Sequence, residues 1–267
     1  MPIQYRCEGH VAVLTLDAPD SLNALAIDDL LALRRQLAMC RDDERVRAIV
    51  LTGAGGKAFC TGANLKSTLP PATGFAAGYL QGREAEAQAG GYTRLIDLSD
   101  LELWKPMLAA VNGYCLGGGL ELALQCDLRI AADNASFALP EAKVASIPAV
   151  GGVQYLLRAV PAAHAMKLAL TGERIDAQEA ARIGLVSDVV PVAALMDTAM
   201  AIAQRIAGNG PLAVQSIKKL AVQTAHLAPR DFVAQANLAW GLLRDSADRI
   251  EGRKAFAEKR PPEYRGA

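Results

Sequence analysis

Apolar positions in the first two thirds of the chain fall in short runs, each closed by glycine or proline. Residues 10–19, HVAVLTLDAP, alternate Val11, Val13 and Thr15 against Ala12, Leu14 and Leu16 before Pro19, the period-two pattern of a strand. Similar runs predict strands at 46–53, 107–115, 127–132, 136–140 and 185–191. Between them the apolar spacing becomes helical. Ile27, Leu30, Leu31 and Leu37 mark a helix that Asp20 or Ser21 could cap, and GGVQYLLRAV and DAQEAARIG continue the series. Strands alternating with helices predict an α/β fold. Beyond Pro191 the strand signal stops and three long helical stretches follow. The pattern predicts an α/β core over 1–191 and an α-helical region over 192–267, with no internal repeat. Residues 67–91, rich in Ala, Gly and Pro, read as including a mobile loop.

The chain has 267 residues, 52% of them hydrophobic, enough for one large core rather than a disordered chain. Its 28 basic and 28 acidic residues cancel, which leaves no bulk positive field to hold nucleic acid or an anionic membrane. The apolar stretch 107–126 has membrane length, but four glycines, Asn112, Gln125 and Glu121 break it. Five scattered cysteines without a CxxC pair fit free thiols in a reducing compartment. The N-terminus carries no apolar leader. A cytoplasmic protein without nucleic-acid or membrane partners is the expectation.

The three histidines, His10, His164 and His226, lack ligand spacing, so no metal is expected. A GxSxG elbow is absent. GAGGKA, residues 53–58, has Ala58 where a phosphate loop needs Ser or Thr, and it fits a dinucleotide fingerprint poorly. Three other stretches stand out. In GYCLGGGLELALQCD, Glu121 is the only charged residue between Lys105 and Asp127 and follows Gly117, Gly118 and Gly119. A lone buried carboxylate is costly, while glycines at a helix start can offer N–H groups to an anionic oxygen. In FALPEAKVASIPAVGG, Glu141 directly follows a predicted strand and Pro140. In KAFCTGANLK, a glycine turn ends a third apolar run. Each has a plain reading alone: a first-turn helix acid, a loop acid beside Lys143, a turn. Parallel strands would bring all three to one sheet edge, where ligands bind.

At these residues the sequence resembles the enoyl-CoA hydratase/isomerase (crotonase) superfamily. The resemblance runs from VAVLTLDAPDSLNAL through KAFCTGANLK, AAVNGYCLGGGLELALQCDLRIA, FALPEAKVASIPAVGGVQYLLR and ALTGERIDAQEAARIGLVSDVV to EGRKAFAEKR, nearly the whole chain. It implies a spiral of β-β-α units with C-terminal helices that build a homotrimer or a dimer of trimers, and no cofactor beyond the coenzyme A of the substrate. It implies that the backbone N–H groups of Ala63 and Gly118 hold the acyl-CoA thioester oxygen and that Glu121 and Glu141 are the catalytic pair. It places Ala24 and Leu25 at the coenzyme A entrance, with Asn64, Leu65, Lys66, Phe256 and Lys259 near the substrate or its phosphates, the last two from a neighbouring subunit. Asn64 departs from the usual Asp. The segment PAVGGVQYL departs too, with Ala149 where Gly is common and no Thr-Gln-Arg after the paired glycines.

The activity implied is reversible addition of water to a 2-enoyl-CoA to give a 3-hydroxyacyl-CoA. Two main-chain donors would hold the enolate-like charge, and two acids would handle the water and the Cα proton. Isomerisation and dehydration of a carnitinyl-CoA-type thioester are rivals on the same scaffold. Two glutamates favour water chemistry over isomerisation. A non-catalytic or RNA-binding homologue is the alternative of another class, disfavoured by zero net charge.

Overall fold

The computed structural model describes residues 3–64 and 81–267. Among the described residues, ten strands form two sheets. The larger, in spatial order β1-β2-β3-β5-β7-β10, contains β1 (Ile3–Glu8), β2 (Val11–Leu16), β3 (Ala48–Gly53), β5 (Met107–Val111), β7 (Leu128–Ala132) and β10 (Asp188–Val190). The smaller, in order β4-β6-β8-β9, contains β4 (Ala58–Cys60), β6 (Tyr114–Leu116), β8 (Ser136–Ala138) and β9 (Ile175–Asp176). Consecutive strands divide between them: β3, β5 and β7 lie in the large sheet, and each is followed by a partner, β4, β6 or β8, in the small one. That step from sheet to sheet is the β-β-α spiral. Except β1–β2 and β8–β9, all pairings are parallel.

The central strands are buried on both faces, as interior parallel strands are. Alternate residues feed two cores. Leu14, Leu16, Ile49, Leu51, Ala109 and Ala131 face the small sheet and α1 (Ile27–Asp42). Val11, Val13, Val50, Leu108 and Ile130 face Leu195, Ala199, Met200 and Ala203 of α7 (Leu195–Ala207).

The remaining helices are α2 (Arg83–Glu86), α3 (Gly118–Leu124), α4 (Gly152–Ala159), α5 (Ala162–Thr171), α6 (Ala177–Arg182), α8 (Pro211–Gln223), α9 (Pro229–Leu243) and α10 (Ala247–Glu258). Helices α8 and α9 contain no buried residue and α10 only two, Asp248 and Ala255.

Three sequence expectations need correction or sharpening. The 107–115 run is two strands in different sheets, separated by Asn112–Gly113. Asp20 and Ser21 belong to a 3₁₀ turn and do not cap α1. Leu22 and Asn23 both have φ 54°, and the Asn23 amide is tied to Ala18 N, Ala54 O and Ala58 O, so no helix can run through them. Helix α1 starts instead at Ile27, where Asp29 accepts from Ala26 N at 2.8 Å. Part of the 67–91 stretch read as a loop is ordered: α2 is followed by a π turn over Ala87–Gly91 and a 3₁₀ turn over Tyr92–Ile96. Residues 65–80, with the rest of that expectation, lie outside the described residues.

Candidate active site

The C-terminal ends of the three parallel strands of the small sheet meet at one place. β4 runs into Gly62–Ala63, β6 into Gly117–Gly118, and β8 into Pro140–Glu141. The register pairs Cys60 with Cys115 and Leu116 with Ala138, and Gly117 N donates to Ala138 O at 2.9 Å. The three stretches singled out in the sequence are therefore adjacent in space.

The first two turns pack against each other closely. Gly62 has φ 86°, and a Cβ there would stand 2.9 Å from Gly118 N. A Cβ on Gly118 would stand 3.5 Å from Gly62 Cα and 3.8 Å from Ala63 N. Leu25 holds the first turn from behind: Leu25 N donates to Gly62 O at 2.8 Å, and Asn64 N to Leu25 O at 2.9 Å. Between those bonds the Ala63 N–H has no main-chain acceptor among the described residues, and neither does the Gly118 N–H at the start of α3. Two donors side by side, one with a helix behind it, form a seat for an oxygen that gains negative charge.

Glu121 lies one turn further along α3 and is 3% exposed. Its Oε1 accepts from Val150 N at 2.8 Å and Gly152 N at 3.0 Å, at the start of α4. These two donors offset the cost of burying a lone carboxylate. Burial raises its pKa, and the two N–H groups work against that rise. Its other oxygen has no donor among the described residues.

Glu141, in the 3₁₀ turn Pro140–Val144, sits differently. Its Oε1 lies 2.8 Å from where a Cβ on Gly117 would be, so a side chain at 117 would displace it. Gly117 has φ 53° and ψ −128°, a conformation only glycine adopts freely. Glu141 Oε2 is buried without a hydrogen-bond partner among the described residues. Burial foremost, and then the charge of Glu121, push the Glu141 pKa up to about 7 against the pull of its own backbone N–H. The two acids thus feel each other's charge.

The peripheral positions fare unevenly. Ala24 is partly exposed beside the Leu25 bridge. Leu25 is in the core, so its side chain cannot line an entrance; only its main chain shapes the site. Leu65 and Lys66 lie outside the described residues. Phe256 is 86% exposed on α10 and lines a groove of about 830 Å³ between α8, α9 and α10, away from the carboxylates. Lys259 caps the C-terminus of α10 in the left-handed conformation and is exposed. Sequence reasoning missed the Val150 and Gly152 donors; the paired glycines opening α4 were the available signal.

The enoyl-CoA hydratase/isomerase family model matches residues 6–267. The chain belongs to that family. It is 46% identical over 267 residues to the (E)-benzylidenesuccinyl-CoA hydratase of Thauera aromatica, covering all of both chains. It is 39% identical to the carnitinyl-CoA dehydratase of Proteus mirabilis, over 97% of this chain and 96% of that one. Among solved structures it matches the enoyl-CoA hydratase of Bacillus anthracis at TM-score 0.89 and 37% identity, over 99% of each chain. It matches that of Mycobacterium tuberculosis at TM-score 0.86 and 32% identity, again over 99% of each. The fold is thus the crotonase fold implied by the sequence motifs. No helix among the described residues is long and apolar enough to cross a membrane.

Proposed function

We propose that this family member is an enoyl-CoA hydratase, a lyase that adds water reversibly to a 2-enoyl-CoA thioester. The observation that carries the reading is the unequal carboxylate pair: Glu121 anchored by two N–H groups, Glu141 with a buried, unpartnered oxygen. The thioester oxygen sits against Ala63 N–H and Gly118 N–H, which meet the charge that grows there without reorganising. Glu121, ionised, takes a proton from water as its oxygen bonds to Cβ. Glu141, protonated, gives a proton to Cα. One O–H bond of water, the O–H bond of Glu141 and the π bond between Cα and Cβ are broken; a C–O bond, a C–H bond and an O–H bond on Glu121 are formed, and proton exchange with solvent resets the pair; dehydration is the reverse. Coenzyme A is part of the substrate, and no other cofactor enters.

A second reading keeps this chemistry and changes the acyl group. It is favoured by 46% identity to a benzylidenesuccinyl-CoA hydratase and 39% to a carnitinyl-CoA dehydratase. Isomerisation is less well served, since it needs no acid reserved for water. The exposed apolar side chains of the C-terminal helices, among them Ile217, Leu238, Trp240 and Leu242, support self-association as a homotrimer or pair of trimers. Light scattering on the purified chain tests that state.

The assay is loss of the conjugated enoyl-thioester absorbance of crotonyl-CoA, run beside (E)-benzylidenesuccinyl-CoA, carnitinyl-CoA and a 3-enoyl-CoA. Hydration of crotonyl-CoA that vanishes in Glu121→Gln supports the first reading. Turnover confined to the aryl or carnitine thioester moves the substrate. Turnover of the 3-enoyl thioester alone refutes hydratase function.

A further inference from the structure

Four consecutive main-chain carbonyls, at Arg94, Leu95, Ile96 and Asp97, are each held by a half-buried side chain from a neighbouring helix. Arg34 of α1 donates to Leu95 O at 3.2 Å and to Asp97 O at 2.5 Å. Arg83 of α2 donates to Arg94 O at 2.9 Å and Asp97 O at 3.2 Å. Gln125, at the end of α3, donates to Ile96 O at 2.9 Å and accepts from Leu98 N at 2.8 Å. The same Gln125 amide donates to Glu121 O at 3.1 Å, which ties the segment to the helix that carries the candidate base. Both arginines also pair with carboxylates of the segment, Arg34 with Asp100 and Arg83 with Asp97. A short 3₁₀ turn and its exit need far fewer bonds than this to fold.

The residue so held is Ile96, 1% exposed. Its Cδ1 lies 2.7 Å from where a Cβ on Gly118 would be, and that same point is 3.8 Å from Ala63 N. One methyl group therefore borders the gap between the two candidate thioester donors. An aliphatic wall discriminates between ligands only if it cannot retreat, and the clamp removes that freedom.

We infer that Ile96 is a specificity-determining residue, whose Cδ1 sets the width of the acyl group admitted beside the thioester carbonyl, and that Arg34, Arg83 and Gln125 are positioning residues that hold it there. The inference rests on the reading of Ala63 and Gly118 as the thioester seat. A methyl group pressed against a fixed wall changes affinity on the order of tenfold, so the signal is measurable.

Saturated thioesters test the wall without chemistry. Butanoyl-CoA and its α-branched isomer 2-methylpropanoyl-CoA are titrated calorimetrically into wild type, Ile96→Val, Ile96→Ala and Gln125→Leu. Ile96→Val removes only Cδ1 and is mild for folding. The ratio of the two dissociation constants is expected to move toward the branched ligand, several-fold in Ile96→Val and roughly tenfold in Ile96→Ala. Gln125→Leu shifts it the same way although Ile96 itself is intact; a merely structural Gln125 would lower the melting temperature and leave the ratio alone. A ratio unchanged within twofold in both Ile96 variants, or wild type that binds neither ligand, overturns the inference. Crotonyl-CoA hydration is assayed separately. A shifted ratio without hydration sinks the hydratase reading alone; hydration with an unshifted ratio sinks this one alone.

Discussion

Glu121 and Glu141 end adjacent strand–turn units of one small sheet, the first buried and the second half-buried, and are held in opposite ways. Glu121 is a helix residue whose carboxylate meets the start of a second helix, where two N–H groups stabilise its charged form. Glu141 is a turn residue walled by Gly117, with a buried oxygen that meets no donor among the described residues, so its neutral form is favoured. In the proposed mechanism the anchored carboxyl is the base and the unpartnered one the acid. When two carboxyls must act differently at one pH, the main chain around them makes the distinction.

The sharpest way to break the comparison is to neutralise each acid in turn. Glu121→Gln and Glu141→Gln should each lower kcat for hydration on the order of 10²- to 10⁴-fold. Loss in only one variant, read by enoyl absorbance, would mean that a single acid suffices. The next largest effects come from the glycines. Gly152→Ala puts a methyl 2.8 Å from Glu121 Oε1, and Gly117→Ala puts one 2.8 Å from Glu141 Oε1. Displacement of either carboxylate by about an ångström should cost on the order of 10²-fold in kcat. If Gly152→Ala retains full activity, the anchored seat of Glu121 is unnecessary.

The pH dependence sharpens the assignment. With Glu141 as the acid, kcat/KM should fall as pH rises through about 7, where that group loses its proton. Stability should follow the same group. A carboxyl raised above its ordinary 4.5 binds its proton more tightly in the folded chain than in the unfolded one. Folding stability therefore declines as pH climbs from the ordinary value toward about 7. Wild type should lose more melting temperature between those limits than Glu141→Gln, which has nothing to ionise there; equal losses would place the raised group elsewhere. The smallest effect is expected at the periphery: Lys259→Ala should raise KM for the coenzyme A ester no more than about fivefold, the scale of an exposed charge contact.

Much of this was legible in the sequence because the central strands are buried on both faces and so appear as unbroken apolar runs. β1 leaves no apolar run because it is an exposed edge strand, and β9 none because it is two residues long, whereas β4, three residues long, shows only as the apolar run before the Gly62 turn. The two glutamates and the glycine turns were legible as isolated charges and special backbone in apolar surroundings. What holds Glu121 was not. Its donors are main-chain N–H groups 29 and 31 residues away, and a main-chain donor leaves no side-chain signature. Leu25 erred in the other direction: a motif position that acts through its backbone while its side chain belongs to the core.

The account turns on which acid carries a proton, and infrared spectroscopy reads that directly. Difference spectra between pH 5 and 8.5 should show one protonated carboxyl stretch that disappears with a midpoint near 7, absent from Glu141→Gln and kept in Glu121→Gln. A band lost instead in Glu121→Gln, or no such band in wild type, would contradict the division of the pair into base and acid.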